Sequence, residues 1–444
     1  MSLSLRAATA LLTVLSGISA PLMAKCTKVT STSSLSSAVI AAGYTAAAWN
    51  GACDICHGNI GLPGVISINS GNAFQPSGTL LASAVGNFLT SASNVAYSSN
   101  QILYRCDLAD AGKLYEMYAT NGDNAYTGKY ATAEVDGAYY DVAKNVAVRM
   151  TNLSSGEYYS RYWKARQLTR DSWFEDDNYI YIPASAFSNV LYEMFKIDST
   201  TYYINGSAYY RDNYTQPRGY IAFKGPGLAT DSMQVGDDHA TTFPGWYSDW
   251  PGAWSTWSQV TYVRGALCQI KDYPPVVLLP TISRATLQEG GSSQVPFNVN
   301  IECEAGARSS TAASSSSAAN VAMGFLVNQS GSVSAAQRLG LTTTGGALTY
   351  LLDSQYGSSG VASGVGIRIY NSSGVPVNLL PNRSATATGN NGGWYGYQEL
   401  TSLVSSGTTH IYSGDFTASL EALSGQTITA GSVNAQLQVV VSFQ

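Results

Sequence analysis

From Val433 onward the chain alternates. Val433, Ala435, Leu437, Val439, Val441 and Phe443 form one set of positions. Asn434, Gln436, Gln438, Val440, Ser442 and Gln444 form the other. With a side-chain period of two, one face is apolar and the other almost wholly polar, which predicts a long final strand packed on a core. The same period recurs in Phe416–Leu423, Gly364–Asn371 and Pro296–Cys303. Earlier in the chain, Ile102–Cys106, Tyr115–Ala119 and Tyr179–Ile182 read as strands. Gly, Asn, Asp and Pro punctuate these runs, and no long 3.6-residue apolar period appears, so the expected fold class is all-β.

Composition divides the chain near residue 265. Seven of the 8 Trp and 23 of the 30 Tyr lie before it, and Ser, Ala, Val and Gly dominate after it. Gly265-Ala266-Leu267 is the expected linker between a domain of residues 25–264 and one of residues 268–444. The Ser/Ala-rich stretch Glu304–Asn320 reads as a loop between strands. At the other end, Arg6, the apolar run Ala7–Val14 and the small residues Ala20 and Ala24 read as an export signal over residues 1–24. Charged residues make up 11% of the chain, against roughly 25% in an ordinary globular protein. That composition suits an extracellular β-rich protein. The net charge of −5, with no basic block, argues against nucleic acid or an anionic membrane as partner.

Six cysteines in an exported chain read as three disulfides. Cys268 and Cys303 flank a Pro-rich segment and a strand, and two strands tied by one disulfide fit that spacing. Closing such a loop contributes roughly 4 kcal/mol in the chain-entropy account. The pairing of Cys26, Cys53, Cys56 and Cys106 stays open among three connectivities; the expectation is that Cys53 and Cys56 each reach outward to Cys26 or Cys106. Cys53-Asp54-Ile55-Cys56-His57 also fits a c-type haem attachment pattern, but the surrounding β pattern and two further cysteines favour disulfides. His57, His239 and His410 are far apart, so neither a metal site nor any cofactor is expected. No nucleophile elbow or phosphate loop appears, and the adjacent carboxylates Asp237 and Asp238 are weak grounds for a glycosidase. No enzymatic activity is expected.

Several features of the second half occur in a specific order. They are the Cys268/Cys303 pair, the Leu-Pro strand expected over Pro274–Pro280, the Gly364-Val365-Gly366-Ile367 strand, Gly431, and a final alternating strand with the aromatic Phe443 next to last. In this order, residues 268–444 resemble a pilin domain of the chaperone–usher family, which more often has Tyr at the penultimate position. The resemblance implies an incomplete immunoglobulin-like sandwich lacking one strand. It also implies that Ala435, Leu437, Val439, Val441 and Phe443 line a groove filled first by a periplasmic chaperone and later by an adjacent pilin subunit, with assembly at an outer-membrane usher. Strand addition of this kind satisfies an edge that would otherwise aggregate. A pilin that accepts a strand but carries some 240 mature residues of another kind ahead of it, with no short extension to donate, belongs at the fimbrial tip on the cell surface.

Residues 25–264 are then the expected receptor-binding domain, a β-sandwich or jelly-roll-like fold. Trp257–Arg264 reads as its last strand, which would place the preceding loop at the end away from the second domain. That loop holds Asp237, Asp238, Trp246, Tyr247, Asp249, Trp250 and Trp254. Aromatic faces stack on sugars and carboxylates accept hydroxyl protons, so these seven are the candidate ligand-binding residues. The competing reading is that the tryptophans are core. Trp173–Asn178 is a second loop of similar make-up. A host glycan is the leading receptor, with a matrix protein as the alternative; a receptor-free tip or assembly initiator is the third possibility.

Overall fold

The computed structural model describes residues 25–69, 72–312 and 320–443. The export-signal segment, Gln444 and residues 313–319 of the Ser/Ala-rich loop lie outside them.

Residues 26–265 build four sheets. Ile102–Asp107 and Tyr179–Pro183 are central in the first, flanked by Thr27–Lys28 and Phe174–Glu175. Leu80–Gly86, Val190–Lys196 and Val146–Asn152 run antiparallel in the second. The third has Gly252–Trp254, Gly219–Lys224, Tyr115–Thr120 and Lys164–Gln167 in that order. In the fourth, Thr261–Gly265 lies between antiparallel Tyr209–Arg211 and parallel Val65–Asn69. The core between these sheets is aromatic and includes Tyr104, Tyr192, Phe223, Trp254 and Tyr262.

Charge is buried in this region as well. Arg218 donates from Nε to Asp141 at 2.8 Å and from Nη2 to Asp212 at 2.6 Å, with Tyr262 and Thr256 hydroxyls completing the two carboxylates. Glu116, fully buried, is held by Arg166, the Asn152 amide and the Ser188 backbone N–H. Burial pushes the Glu116 and Asp141 carboxyls up, against the pull of their arginines.

Residues 268–443 build two facing sheets with one core between them. One sheet runs Cys268–Asp272, Ser293–Glu304, Thr409–Ala422, Val365–Asn371 and Pro376–Val377, with Ser402–Ser406 pairing onto Thr409–Ala422. The other is centred on Asn320–Leu326, which pairs with Gln438–Phe443, Tyr395–Gly396 and Arg308–Ser309. Val299, Ile301 and Phe416 of the first sheet meet Val321, Met323 and Phe325 of the second. No hydrophobic cluster is shared between the residues before 265 and those after 267.

The segment between them is not a loose tether. Ala266 and Leu267 are buried. The Leu267 carbonyl accepts from Glu304 N–H, Leu267 N–H donates to the Glu304 carboxylate at 3.0 Å, and the same carboxylate accepts from Asn69 Nδ2 at 2.7 Å.

The structure corrects three expectations. First, Cys26 pairs with Cys106, and Cys53 pairs with Cys56 rather than outward. The antiparallel register Thr27↔Arg105 sets Cys26 directly opposite Cys106, which leaves Cys53 and Cys56 to each other. Cys268 and Cys303 face each other across their strands in the same way and are bonded. Second, Pro274–Pro280 joins no sheet, because its three prolines offer no N–H to a ladder. Val277 and Leu279 lean on the core while Leu278 is 80% exposed. Third, the final strand is shorter than its alternation. Its ladder begins at Gln438, where Leu326 ends the partner strand. Upstream, Asn434 is held instead by the Asp353 carboxylate and the Ser354 N–H. A side chain on Gly431 would come 2.4 Å from the Ala362 nitrogen, so the approach to this strand needs glycine.

Candidate functional site

Gln438–Phe443 has a ladder on one edge only, to Asn320–Leu326; the opposite edge has no strand partner among the described residues. Ala435, Leu437, Val439, Val441 and Phe443 are half-buried and rest on the core from that strand and its approach. The strand Cys268–Asp272 passes close by without bonding to it. Ile270, Val277 and Leu279, also half-buried, belong to the same core margin. The result is an apolar row beside unpaired strand backbone, which is the surface an added strand needs. Val440, the apolar residue among the polar positions, is buried with Ala322, Leu326, Leu380 and Trp394. Its exception to the alternation has a packing cause.

The aromatic loop of the first region divides differently. Trp250 and Trp254 have no exposed surface. Each indole N–H is satisfied inside the protein, by the Pro244 carbonyl at 3.1 Å and the Tyr159 hydroxyl at 3.1 Å. They are core residues, and their expected role as ligand contacts is corrected. Asp249 is buried too, its carboxylate accepting from Ala229 N–H at 3.0 Å. Asp238 forms a two-pronged pair with Arg161, at 2.7 and 2.6 Å, which holds its carboxyl below the usual range. Asp237 caps its own turn by accepting from Gln234 N–H. Tyr247 donates to Asp54, inside the Cys53–Cys56 loop, at 2.7 Å. Trp246 (43% exposed) and Phe243 (39%) are the rings left at the surface. The second loop is similarly engaged: the Asp176 carboxylate accepts from Asn178 N–H, Tyr179 N–H and the Tyr181 hydroxyl.

Residues 257–444 match the family described as fimbrial protein. This segment is similar to that family. Nothing among the curated proteins matches the chain. Among solved structures the chain is similar to the CupB6 tip adhesin of Pseudomonas aeruginosa, at 11% identity over 87% of this chain and 92% of that one, with a TM-score of 0.24. It is also similar to the CsuC–CsuE chaperone–tip adhesion subunit complex of Acinetobacter baumannii, at 12% identity over 85% and 97%, with a TM-score of 0.26. The P pilus rod subunit PapA aligns at 15% identity with 40% of this chain and 99% of its own, with a TM-score of 0.24. The architecture given above rests on the strand pairing of this chain.

Ahead of residue 257, the structure sets Trp246, a candidate from the sequence, among residues that sequence reading did not select. Asn121, Asp123, Tyr220, His239, Phe243 and Trp246 line one small cleft. His239 is 4% exposed, and burial pushes its imidazole down to about 4. Its Nδ1 accepts from Gly122 N–H at 3.1 Å, while its Nε2 has no partner. The ring lies parallel to Tyr220, with centroids 5.2 Å apart, and against Trp163 and Trp250. Gly122 and His239 are 117 positions apart, so no local spacing could have announced the contact. His57 behaves comparably: it is buried beside Trp257, and burial, with the Arg218 charge, pushes it down to about 4.

Proposed function

We propose that this chain is the tip adhesin of a chaperone–usher fimbria. Residues 268–444 act as the pilin domain and receive a strand along Ala435–Phe443. A periplasmic chaperone supplies it first, and an adjacent pilin subunit supplies it in the fibre, with assembly at the outer-membrane usher. Residues 25–264 act as the receptor-binding domain and hold a host or surface ligand, with a glycan in first place. No chemistry is performed; the protein binds at one end and is anchored at the other. The observation that carries this reading is the one-sided strand Gln438–Phe443 with its row of half-buried apolar side chains. Such an edge is a liability in water and a binding site for an extended segment.

The test is a synthetic extended peptide with alternating apolar residues, added to the full mature chain. The thermal midpoint of the C-terminal region should rise with peptide concentration, as mass action requires for a ligand of the native state. Val441→Asp should abolish the rise. A midpoint indifferent to the peptide would sink the strand-acceptor reading.

A further inference from the structure

His239 and its surroundings define what the cleft would recognise. Because Gly122 N–H donates to Nδ1, that nitrogen carries no proton, and the neutral ring carries its proton on Nε2. This N–H has no acceptor among the described residues although the ring is more than nine-tenths buried. Unpaired buried donors are uncommon and invite an acceptor. Asp123 supplies the complementary group: it is exposed at the cleft, and its carboxylate accepts no hydrogen bond from the described residues. Asn121 is already engaged, donating to the Pro217 carbonyl and accepting from Asp123 N–H. Trp246 and Phe243 stand edge to face, with centroids 5.4 Å apart, and remain accessible. The enclosed part of the cleft is about 10 Å³, room for one oxygen-sized group.

We propose that this cleft seats a hydroxyl group of a saccharide, with His239 Nε2 donating to its oxygen, Asp123 accepting its proton, and the Trp246 and Phe243 rings covering the adjoining C–H face. A hydroxyl both accepts and donates. A peptide carbonyl only accepts, and would face the Asp123 carboxylate with no proton to give it. The proposal rests on the adhesin reading and adds to it the position of the site and the chemistry of the group bound.

The experiment uses the full mature chain against a printed panel of neutral, fucosylated and sialylated glycans, with collagen- and fibronectin-coated wells alongside. Methyl pyranosides of mannose, galactose, glucose and N-acetylglucosamine are titrated by tryptophan fluorescence. Asp123→Asn and Trp246→Ala alter exposed side chains and should leave the fold intact; His239→Gln is the third variant, and Tyr209→Ala, an exposed ring elsewhere, is the control. Glycan binding weakened about tenfold or more by both Asp123→Asn and Trp246→Ala, and unchanged by Tyr209→Ala, is expected for a site that hydrogen-bonds a substrate hydroxyl. Glycan binding unaltered in those two variants would overturn the cleft while leaving the adhesin reading in place. Binding to collagen or fibronectin without glycan binding would overturn the saccharide assignment. Binding to neither would remove the proposal together with the reading beneath it.

Discussion

Two stretches concentrate large apolar side chains, and they end in opposite conditions. Around Trp250 and Trp254 the rings are enclosed, their N–H groups bonded to a carbonyl and a hydroxyl of the same region. Along Ala435–Phe443 the apolar row is half-buried beside an unpaired strand edge. The first stretch is closed over by its own chain; the second borders an edge with no strand partner among the described residues. Aromatic density marked a filled interior, whereas strict alternation marked a half-buried row beside a strand edge with no partner among the described residues.

The contrast can be broken most forcefully at Arg218. Arg218→Met leaves Asp141 and Asp212 buried without their cation, which should cost about 3–5 kcal/mol. In calorimetry this should lower the midpoint of the N-terminal region by about 10 °C and leave the C-terminal transition in place. A single shifted transition would mean that the two regions unfold as one. Next, Trp254→Ala should cost about 3–5 kcal/mol, as a cavity in a closed core does. Acid sharpens the comparison further. His57 and His239 are pushed down to about 4 in the folded state, below the ordinary value of about 6.5. The unfolded chain therefore binds more protons between those values. Stability is full above about pH 6.5, falls as pH drops toward 4, and levels off below it, by up to about 3 kcal/mol for each ring. Denaturant midpoints across that range should show the loss, and His57→Gln should flatten it. The smallest effect is expected at the open strand. Val441→Ala in the chain without a donated strand should cost under about 1 kcal/mol, because a half-buried methyl pair leaves little cavity. A cost equal to that of Trp254→Ala would mean the edge is already closed.

Much of the C-terminal region was legible because period two is a local property. The runs ending in Cys303, Asn371 and Leu423 lie almost wholly in strands, the run ending in Phe443 does so from Gln438 on, and Cys268 meets Cys303 across a ladder. Where expectation failed there, the cause was also local: the prolines of 274–280 cannot enter a ladder, and the partner of the last strand stops at Leu326. In the N-terminal region the strands Ile102–Asp107, Tyr115–Thr120 and Tyr179–Pro183 were visible, but their neighbours were not. The Cys26–Cys106 bond follows from a register, and the cleft follows from Gly122 meeting His239, two turn residues far apart in the chain. A tryptophan in a Gly- and Pro-rich loop reads the same whether its N–H meets water or the Pro244 carbonyl, so sequence could not separate contact from core.

The way the chain passes between its regions has a mechanical consequence. Thr261–Gly265 is the middle strand of three, with Val65–Asn69 parallel on one side and Tyr209–Arg211 antiparallel on the other. Tension drawn through Gly265 along that strand loads both rows of backbone bonds lengthwise and together, rather than peeling them one at a time. Glu304, gripping Leu267 and Asn69 at once, ties the first residues past the exit to the neighbouring strand. The junction is therefore arranged to resist shear, and a load would have to slide a central strand out of its sheet before the two halves could part.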